Sequence, residues 1–156
     1  MFDKFREECG VFGISGHPEA SNLAYLGLYA LQHRGQESAG IAASDGIRIR
    51  HSKAMGYVNE AFNGQTLSRL EGHFAIGHVR YSTAGESRLT NAQPIVIDCM
   101  HGPLALCHNG NLVNAGELRE ELAQHGAIFQ TTSDSEVLVH LFARSPEPTV
   151  EKAIVD

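Results

Sequence analysis

The sequence predicts an α+β fold whose sheets are built from antiparallel strands. Short apolar segments with a hairpin signal fill the earlier part of the chain, and two helices with recognisable first turns lie in the later part. Strands joined by short turns pair antiparallel, whereas parallel strands need a long crossover between them. The 156 residues, 42% of them hydrophobic, suffice for one domain with a sizeable core and are too few for two.

The first elements in chain order are a strand and a helix. CGVFGIS, residues Cys9–Ser15, is apolar and begins abruptly after a charged N-terminus, which predicts a buried strand. Pro18 opens a predicted helix to about Gln32, because proline fits the first turn of a helix. The apolar face of this helix is formed by Leu23, Leu26, Ala30 and Leu31. The polar segment His33–Gly40 is predicted to be a loop.

The middle of the chain predicts further strands. The dipeptide Asp45–Gly46 lies between Ile41–Ser44 and Ile47–His51. It favours a hairpin with a two-residue turn, in which both turn residues have positive φ. The other predicted strands are Phe74–Tyr81 and Pro103–Cys107.

Helical signals dominate the last part of the sequence. Asn114 is predicted to cap one helix, which Gly126 ends. Ser133 and Glu136 form a capping box that predicts the start of another. A third helical pattern follows Pro148 and stops without a capping signal, so we expect the chain to be a C-terminally truncated fragment.

Charge and composition exclude several classes of function. The net charge of −6 disfavours nucleic acid as a partner. No apolar run approaches the roughly 20 residues that span a bilayer, and the charged N-terminus is unlike a secretory signal. Three cysteines, an odd and low count, are typical of a reducing compartment. We therefore expect a cytoplasmic protein without a membrane partner.

Cys9 is the first candidate for chemistry. Taken alone, an unpaired cysteine at the start of a strand is usually a small buried hydrophobe. If the chain began at Cys9, however, its own α-amine would lie beside the thiol. An α-amine has a pKa of about 7.7 to 8, so one residue would then supply both nucleophile and base.

Six motifs occur in an order that identifies a family. They are CGVFGI, LQHRGQESAGI, GHVRYSTAG, AQP, HNGNLVNAGELR and TTSDSE. Together they resemble the glutaminase domain of the amidophosphoribosyltransferases, within the class II, N-terminal-nucleophile glutamine amidotransferases. The resemblance extends from Cys9 to about Phe142, and the residues after HRG match the purine enzyme rather than other class II members.

The resemblance implies the organisation of the chain. The fold expected is a four-layer α/β/β/α sandwich of two antiparallel sheets, truncated at the C-terminus. Residues 1–8 are expected to be a leader, cut between Glu8 and Cys9, because an amide nitrogen at Cys9 is not basic. Residues 9–156 form an incomplete glutamine amidotransferase type 2 domain, and the phosphoribosyltransferase domain is absent.

The resemblance also implies a catalytic set. Cys9 attacks the side-chain amide of glutamine, and the resulting thioester is hydrolysed to glutamate after ammonia leaves. Asn109 and Gly110 stabilise the oxyanion through a side-chain NH₂ and a backbone N–H. Without the other motifs, HNGN would be interpreted as a tight turn.

Glutamine is a zwitterion, so a selective site needs one cation and one anion. Arg80 matches the arginine that binds the α-carboxylate of glutamine, and Asp134 matches the residue that binds its ammonium group. The residues alone also allow a surface salt bridge for Arg80 and a helix first-turn role for Asp134. Further positions carried over from the family are Thr83 as a hydrogen-bond donor to the substrate, Arg34 and Gly35 around the nucleophile, and Tyr81 in interdomain coupling.

Metal sites are not expected in this chain. Cys99, His101, Cys107 and His108 lack the paired spacing of structural zinc sites. The resemblance implies Mg²⁺ and a [4Fe–4S] cluster in the full-length enzyme, both outside residues 1–156. No cofactor is expected within the chain.

The full-length enzyme would use ammonia to convert phosphoribosyl pyrophosphate into 5-phosphoribosylamine, the first committed step of purine biosynthesis. It would assemble as a homo-oligomer, a tetramer. Two alternatives remain: the glutaminase domain of a glucosamine-phosphate or glutamate synthase type, and an inactive amino-acid-binding fragment.

Overall fold

The computed structural model describes residues 9–81, 87–147 and 149–155. Its strands are β1 Gly10–Ser15, β2 Ser38–Ser44, β3 Ile49–Met55, β4 Phe74–Arg80, β5 Ile95–Cys99 and β6 Gly102–Leu106. Its α-helices are α1 Ala20–Ala30, α2 Val58–Ala61, α3 Gly64–Ser68, α4 Ala115–Gln124, α5 Ser135–Arg144 and α6 Val150–Val155. Short 3₁₀ turns occupy Gln32–Arg34 and Leu89–Asn91.

The larger sheet has the strand order β1-β4-β2-β3, and every neighbouring pair is antiparallel. Helix α1 packs on one face of this sheet, where Leu28 meets Ile41 and Val79 in a fully buried core. The full core cluster comprises Ala20, Ala24, Leu28, Ala39, Ile41, Ala43, Val58, Phe62, Leu70, Ala75 and Val79. Alternate residues of β2 and β4 therefore point away from α1, towards the second face.

The smaller sheet is the antiparallel pair β5-β6. Strand β6 contacts β3, helix α5 packs on β5, and α4 packs on α5. On the second face of the larger sheet, the backbone of Gln93 lies against Gly40 of β2. A Cβ at position 40 would lie 2.1 Å from the carbonyl oxygen of Gln93, so only glycine permits this approach.

The α+β class with antiparallel sheets is confirmed, and most elements lie near their predicted positions. The strands predicted at Cys9–Ser15, Phe74–Tyr81 and Pro103–Cys107 are present as β1, β4 and β6. The first was expected to be buried, but β1 is an edge strand of the larger sheet and is only partly buried. The predicted first helix is present as α1 but ends earlier. Its predicted apolar face is wrong, because Leu26 is 58% exposed and the helix packs on the sheet through Ala20, Ala24 and Leu28. The helical pattern after Pro148 is present as α6, although Pro148 itself lies outside the described residues.

Two predictions around β2 are wrong. The loop predicted at His33–Gly40 ends early, because β2 begins at Ser38 and pairs there with both neighbouring strands. The hairpin is present, but its connection has four residues, since Ser44 pairs with Ile49. The carboxylate of Asp45 accepts the backbone N–H groups of Ile47 and Arg48 at 2.9 and 2.8 Å, which stabilises this longer turn.

The helix-capping predictions also need correction. Asn114 occupies the N-cap position of α4, but its side chain makes no capping hydrogen bond. The capping box of Ser133 and Glu136 is wrong, because α5 begins at Ser135 with Asp134 at the N-cap. The Glu136 carboxylate instead accepts the backbone N–H groups of residues 130 and 131, both at 2.8 Å. The sequence analysis missed α2, α3 and β5 altogether.

Candidate active site

A pocket of about 380 Å³ opens where the end of β4 meets the segments after β6 and before α5. Its walls bring together residues that are far apart in the sequence. The predicted site residues that line it are Cys9, Arg80, Tyr81, Asn109, Gly110 and Asp134. We call this cavity the Cys9 pocket. Thr83, Glu8 and the predicted leader lie outside the described residues.

Cys9 lies at the head of β1 with a left-handed backbone, φ 54°. Its Sγ is 3.4 Å from both the backbone nitrogen and the carbonyl oxygen of Tyr81. Its own carbonyl oxygen accepts a hydrogen bond from Arg34 Nε at 2.7 Å and a longer one from Asn109 Nδ2 at 3.5 Å. The main chain of Cys9 is thus held by two separate segments, with the sulfur at the pocket wall.

The segment Gln32–Gly35 is seated closely against the end of β4. A Cβ on Gly35 would lie 2.6 Å from the carbonyl carbon of Val79, so the backbone contact requires glycine. Gln32 joins this segment to α2, because its amide donates to Gly35 O at 2.5 Å and accepts Val58 N–H at 2.6 Å. This seating carries Arg34 to the back of Cys9, so Arg34 contacts Cys9 and Gly35 contacts the end of β4, and neither residue lines the pocket.

Arg80 is a buried member of the pocket wall. Its Nη1 donates to Glu37 Oε1 at 2.5 Å, and the two side chains are only 8% and 15% exposed. The backbone N–H of Glu37 also donates to Arg80 O at 3.0 Å. A surface salt bridge, which the residues alone allowed for Arg80, is therefore wrong, because both partners are largely buried. A desolvated pair of this kind holds the guanidinium in one place.

Asp134 fixes the opposite side of the pocket. Its Oδ2 accepts the backbone N–H of Leu112 at 2.8 Å, and its Oδ1 accepts the hydroxyl of Ser135 at 3.4 Å. It lies at the N-cap of α5. The arrangement places a cation and an anion in one cavity that also contains a thiol.

Comparison with known proteins identifies the family. Residues 63–154, more than half of the chain, match the family model described as glutamine amidotransferase domain. The chain belongs to this family.

The relatives of this glutamine amidotransferase domain are longer proteins. It is 48% identical over 154 residues to an amidophosphoribosyltransferase of Staphylococcus aureus, and 52% identical over 149 residues to one of Bacillus subtilis. These alignments cover 98% and 95% of the chain but 31% of each relative. A solved structure described as the allosteric regulatory enzyme of purine biosynthesis superposes with a TM-score of 0.87 at 51% identity, covering 92% of the chain and 31% of that protein. The chain thus spans about a third of the length of these relatives.

In this amidotransferase domain, His78 is enclosed in the pocket wall with no exposed surface. Among the described residues, neither of its ring nitrogens has a hydrogen-bond partner. Burial lowers the pKa of His78 to about 4; the backbone of His108 lies near enough to oppose the shift, and the charges of Arg80 and His108 add to it. His78 is therefore a neutral ring at physiological pH.

This buried histidine predicts an acid-sensitive fold. Because folding lowers the pKa of His78 from 6.5 to about 4, acid protonates this residue in the unfolded chain before it does so in the folded one. The folded state therefore loses stability as the pH falls from about 6.5 towards 4. We expect His78 to remove about 3 kcal/mol from the free energy of unfolding between pH 7 and pH 4. Urea unfolding at several pH values should show a shallower pH dependence for His78→Gln.

The exposed His73→Gln variant is the matched control for this experiment and should retain the parent's pH dependence. A His78→Gln variant with the parent's full dependence would show that the histidine is not the group that titrates.

The sequence analysis missed several residues that shape the site. Glu37, Gln93 and Ser135 are buried or half-buried at the pocket. Glu37 bonds to Arg80 and Ser135 to Asp134, whereas Gln93 bonds to His108 and Ser135. Gln93 stood in the quoted AQP motif, which signalled its importance without giving it a role. In the described part of the chain, no three His, Cys, Asp or Glu side chains gather into a group that could hold a metal ion. No helix in those same residues combines the length and apolar character needed to cross a bilayer.

Proposed function

We propose that this chain is the glutamine-hydrolysing domain of an amidophosphoribosyltransferase and that Cys9 is its nucleophile. The observation that carries the proposal is the single pocket that gathers Cys9, Arg80, Asn109, Gly110 and Asp134. The names of the longer relatives support the choice of enzyme, since amidophosphoribosyltransferases of two bacterial genera align over nearly the whole chain.

Substrate binding rests on the two charged side chains of the pocket. The guanidinium of Arg80 binds the α-carboxylate of glutamine, and the carboxylate of Asp134 binds its α-ammonium group. Both side chains are already held by protein partners, Arg80 by Glu37 and Asp134 by the Leu112 N–H. Little conformational freedom is therefore lost when glutamine binds. We assign Thr83 a further hydrogen bond to the substrate.

The reaction proceeds in two steps. The α-amine of a chain that starts at Cys9 takes the thiol proton, and the thiolate attacks the side-chain amide carbon of glutamine. Asn109 Nδ2–H and Gly110 N–H stabilise the oxyanion, and its collapse breaks the C–N bond. The leaving nitrogen takes the proton from the amine and departs as ammonia. Water then attacks the thioester, with the amine as base, and releases glutamate and the free thiol.

Arg34 and Tyr81 have supporting roles in this scheme. Arg34 holds the Cys9 carbonyl at 2.7 Å, so the thiol and the amine of Cys9 keep their orientation. Gly35 allows Arg34 to approach, as described above. The half-exposed Tyr81 follows Arg80 and lies beside the sulfur, where it couples the pocket to a neighbouring domain.

The full-length protein would extend this chemistry. We propose that the ammonia converts phosphoribosyl pyrophosphate into 5-phosphoribosylamine in a second domain, in a cytoplasmic homo-tetramer. Mg²⁺ and any iron–sulfur cluster would be bound outside residues 1–156. The complete domain would be the four-layer sandwich, since α1, the larger sheet, the smaller sheet and α5 already follow one another in that order of contact.

Arg80→Lys is expected to weaken glutamine binding even though it keeps the positive charge. Lysine carries a single point charge and cannot serve both Glu37 and a substrate carboxylate with a planar fork. We expect the KM for glutamine to rise by about 10-fold or more, equivalent to losing one charge-assisted hydrogen bond of about 1.5 to 3 kcal/mol. Steady-state glutaminase kinetics provide the measurement, and an unchanged KM would remove Arg80 from the site.

The proposed function is tested by comparing glutaminase activity with and without residues 1–8. Intact-mass measurement and a glutaminase assay on one preparation compare the chain that retains residues 1–8 with the chain that begins at Cys9. Only the trimmed chain is expected to hydrolyse glutamine, because a Cys9 amide nitrogen is not a base. Equal rates for both forms would require another base, for which His33, His78 and His108 are the first candidates. No glutaminase activity in either form would contradict the proposed function itself.

A further inference from the structure

Two buried side-chain amides lie two residues apart on the segment that leads into β5. Asn91 is 2% exposed and Gln93 is 6% exposed. Both amides bond to backbone groups of the pocket loops. Burial of a primary amide is costly unless its donors and acceptor are satisfied, so these bonds fix the amides in place.

Gln93 clamps the residue before Asn109. Its Oε1 accepts the backbone N–H of His108 at 2.6 Å, and its Nε2 donates to the carbonyl of the same residue at 3.2 Å. The side chain thus pairs with His108 as a neighbouring strand would. Its Nε2 also donates to Ser135 Oγ at 3.2 Å. The backbone of Gln93 is itself held against Gly40, so the clamp is anchored to the larger sheet.

Asn91 bonds to the backbone and the side chain of one residue of the other loop. Its Oδ1 accepts the backbone N–H of Thr132 at 3.0 Å, and its Nδ2 donates to Thr132 Oγ1 at 2.9 Å. Thr132 lies two residues before Asp134, on the side of the pocket assigned to the ammonium group of glutamine.

We propose that Gln93 and Asn91 are positioning residues that brace the Cys9 pocket from one segment, each holding the backbone of a different pocket loop. Gln93 sets Asn109 and Gly110, which act on the reacting amide, whereas Asn91 sets Asp134, which binds the amino-acid end. The proposal deepens the proposed function and rests on it for the roles of these loops. The structural part of the proposal, two braces on one segment that hold the backbone N–H groups of His108 and Thr132, stands on the hydrogen bonds alone.

Amide hydrogen exchange tests the braces without any assay of activity. Gln93→Met removes the acceptor of His108 N–H, so exchange at His108 is expected to accelerate while exchange at Thr132 stays as in the parent. Asn91→Leu should produce the reverse pattern. Gln93→Glu keeps the acceptor and removes both donors, so the backbone N–H of His108 should stay protected from exchange. This variant replaces Gln93→Met in the experiment if the methionine variant fails to fold. Acceleration at both positions in every variant, or at neither, overturns the proposal.

Glutaminase kinetics on the chain that begins at Cys9 then separate the two roles. Removal of one oxyanion donor typically costs about 10²- to 10³-fold in kcat, so a displaced donor pair in Gln93→Met should lower kcat by at least about 10-fold with little change in KM. Asn91→Leu should raise KM by about 10-fold and largely spare kcat. The exposed Gln124→Met variant is the control and should match the parent in both constants.

The outcomes distinguish a failure of the brace proposal from a failure of the proposed function. If kcat and KM change together in both variants, the separate braces are wrong even though the chain is a glutaminase. If the exchange pattern is as expected but the parent chain has no glutaminase activity, the braces stand and the proposed function falls.

Discussion

Replacement of Cys9 by alanine is expected to abolish glutamine hydrolysis. The variant lacks the only atom in the pocket placed to form a thioester under the proposed mechanism, and loss of a nucleophile typically lowers kcat by about 10⁴-fold or more. In the full-length protein, synthesis of phosphoribosylamine from free ammonia should persist, because the proposed function places the acceptor site in another domain. Parallel assays with glutamine and with ammonium salts measure the two activities.

Cys107→Ala is the matched control for this variant. Burial raises the pKa of the Cys107 thiol to about 12, with the positive charge of Lys53 opposing the shift, so this cysteine stays protonated and unreactive. It should retain glutaminase activity. If Cys9→Ala lost both the glutamine-dependent and the ammonia-dependent activity while remaining folded, the proposed division of labour between the domains would be refuted.

Asp134→Asn is expected to give the second largest effect. Asparagine retains an oxygen for the Leu112 N–H, now bonded to Oδ2 at 2.8 Å, so the loop should keep its position. The variant loses the charge that is proposed to face the ammonium group of glutamine. Removing one partner of a desolvated charge pair costs about 2 to 5 kcal/mol, which should appear as a fall in kcat/KM for glutamine of roughly 30-fold to several thousand-fold.

An exposed acidic residue provides the control for Asp134. Asp98→Asn on β5 removes the same charge outside the pocket and should leave kcat/KM within about two-fold of the parent. Unchanged glutamine kinetics in Asp134→Asn would limit this residue to its other role, the backbone bond between the two loops.

The sequence predicted the helices and strands that depend on residues close together in the chain. Helix α1 was predicted after Pro18, although with the wrong buried face, and β1 was predicted from an apolar run that starts at Cys9. The hairpin around Asp45 was predicted with the wrong turn, because the register depends on how β2 pairs with two strands at once. The capping box at Ser133 failed for a similar reason. The Glu136 carboxylate finds better donors in the preceding loop, at residues 130 and 131, than at the helix start.

The same difference between local and long-range causes applies to the candidate site. Cys9, Arg80, Asn109, Gly110 and Asp134 were named from motifs, and the structure brings all five into one pocket. The residues that hold them were not predicted, since their bonds join distant segments. Glu37 reaches Arg80 across 43 positions, and Gln93 reaches His108 across 15. Such contacts depend on strand register and loop position, which a motif does not encode.

Covalent trapping at Cys9 tests the central claim most directly. The chain that begins at Cys9 is treated with a glutamine analogue in which a chloromethyl ketone replaces the carboxamide, and labelled peptides are located by mass spectrometry. The thiolate displaces chloride and forms a stable thioether. The account predicts one label per chain, on Cys9, with Cys99 and Cys107 unmodified and with labelling suppressed by excess glutamine. A preparation that hydrolyses glutamine but carries its label on another residue, or labels Cys9 without protection by glutamine, would contradict it.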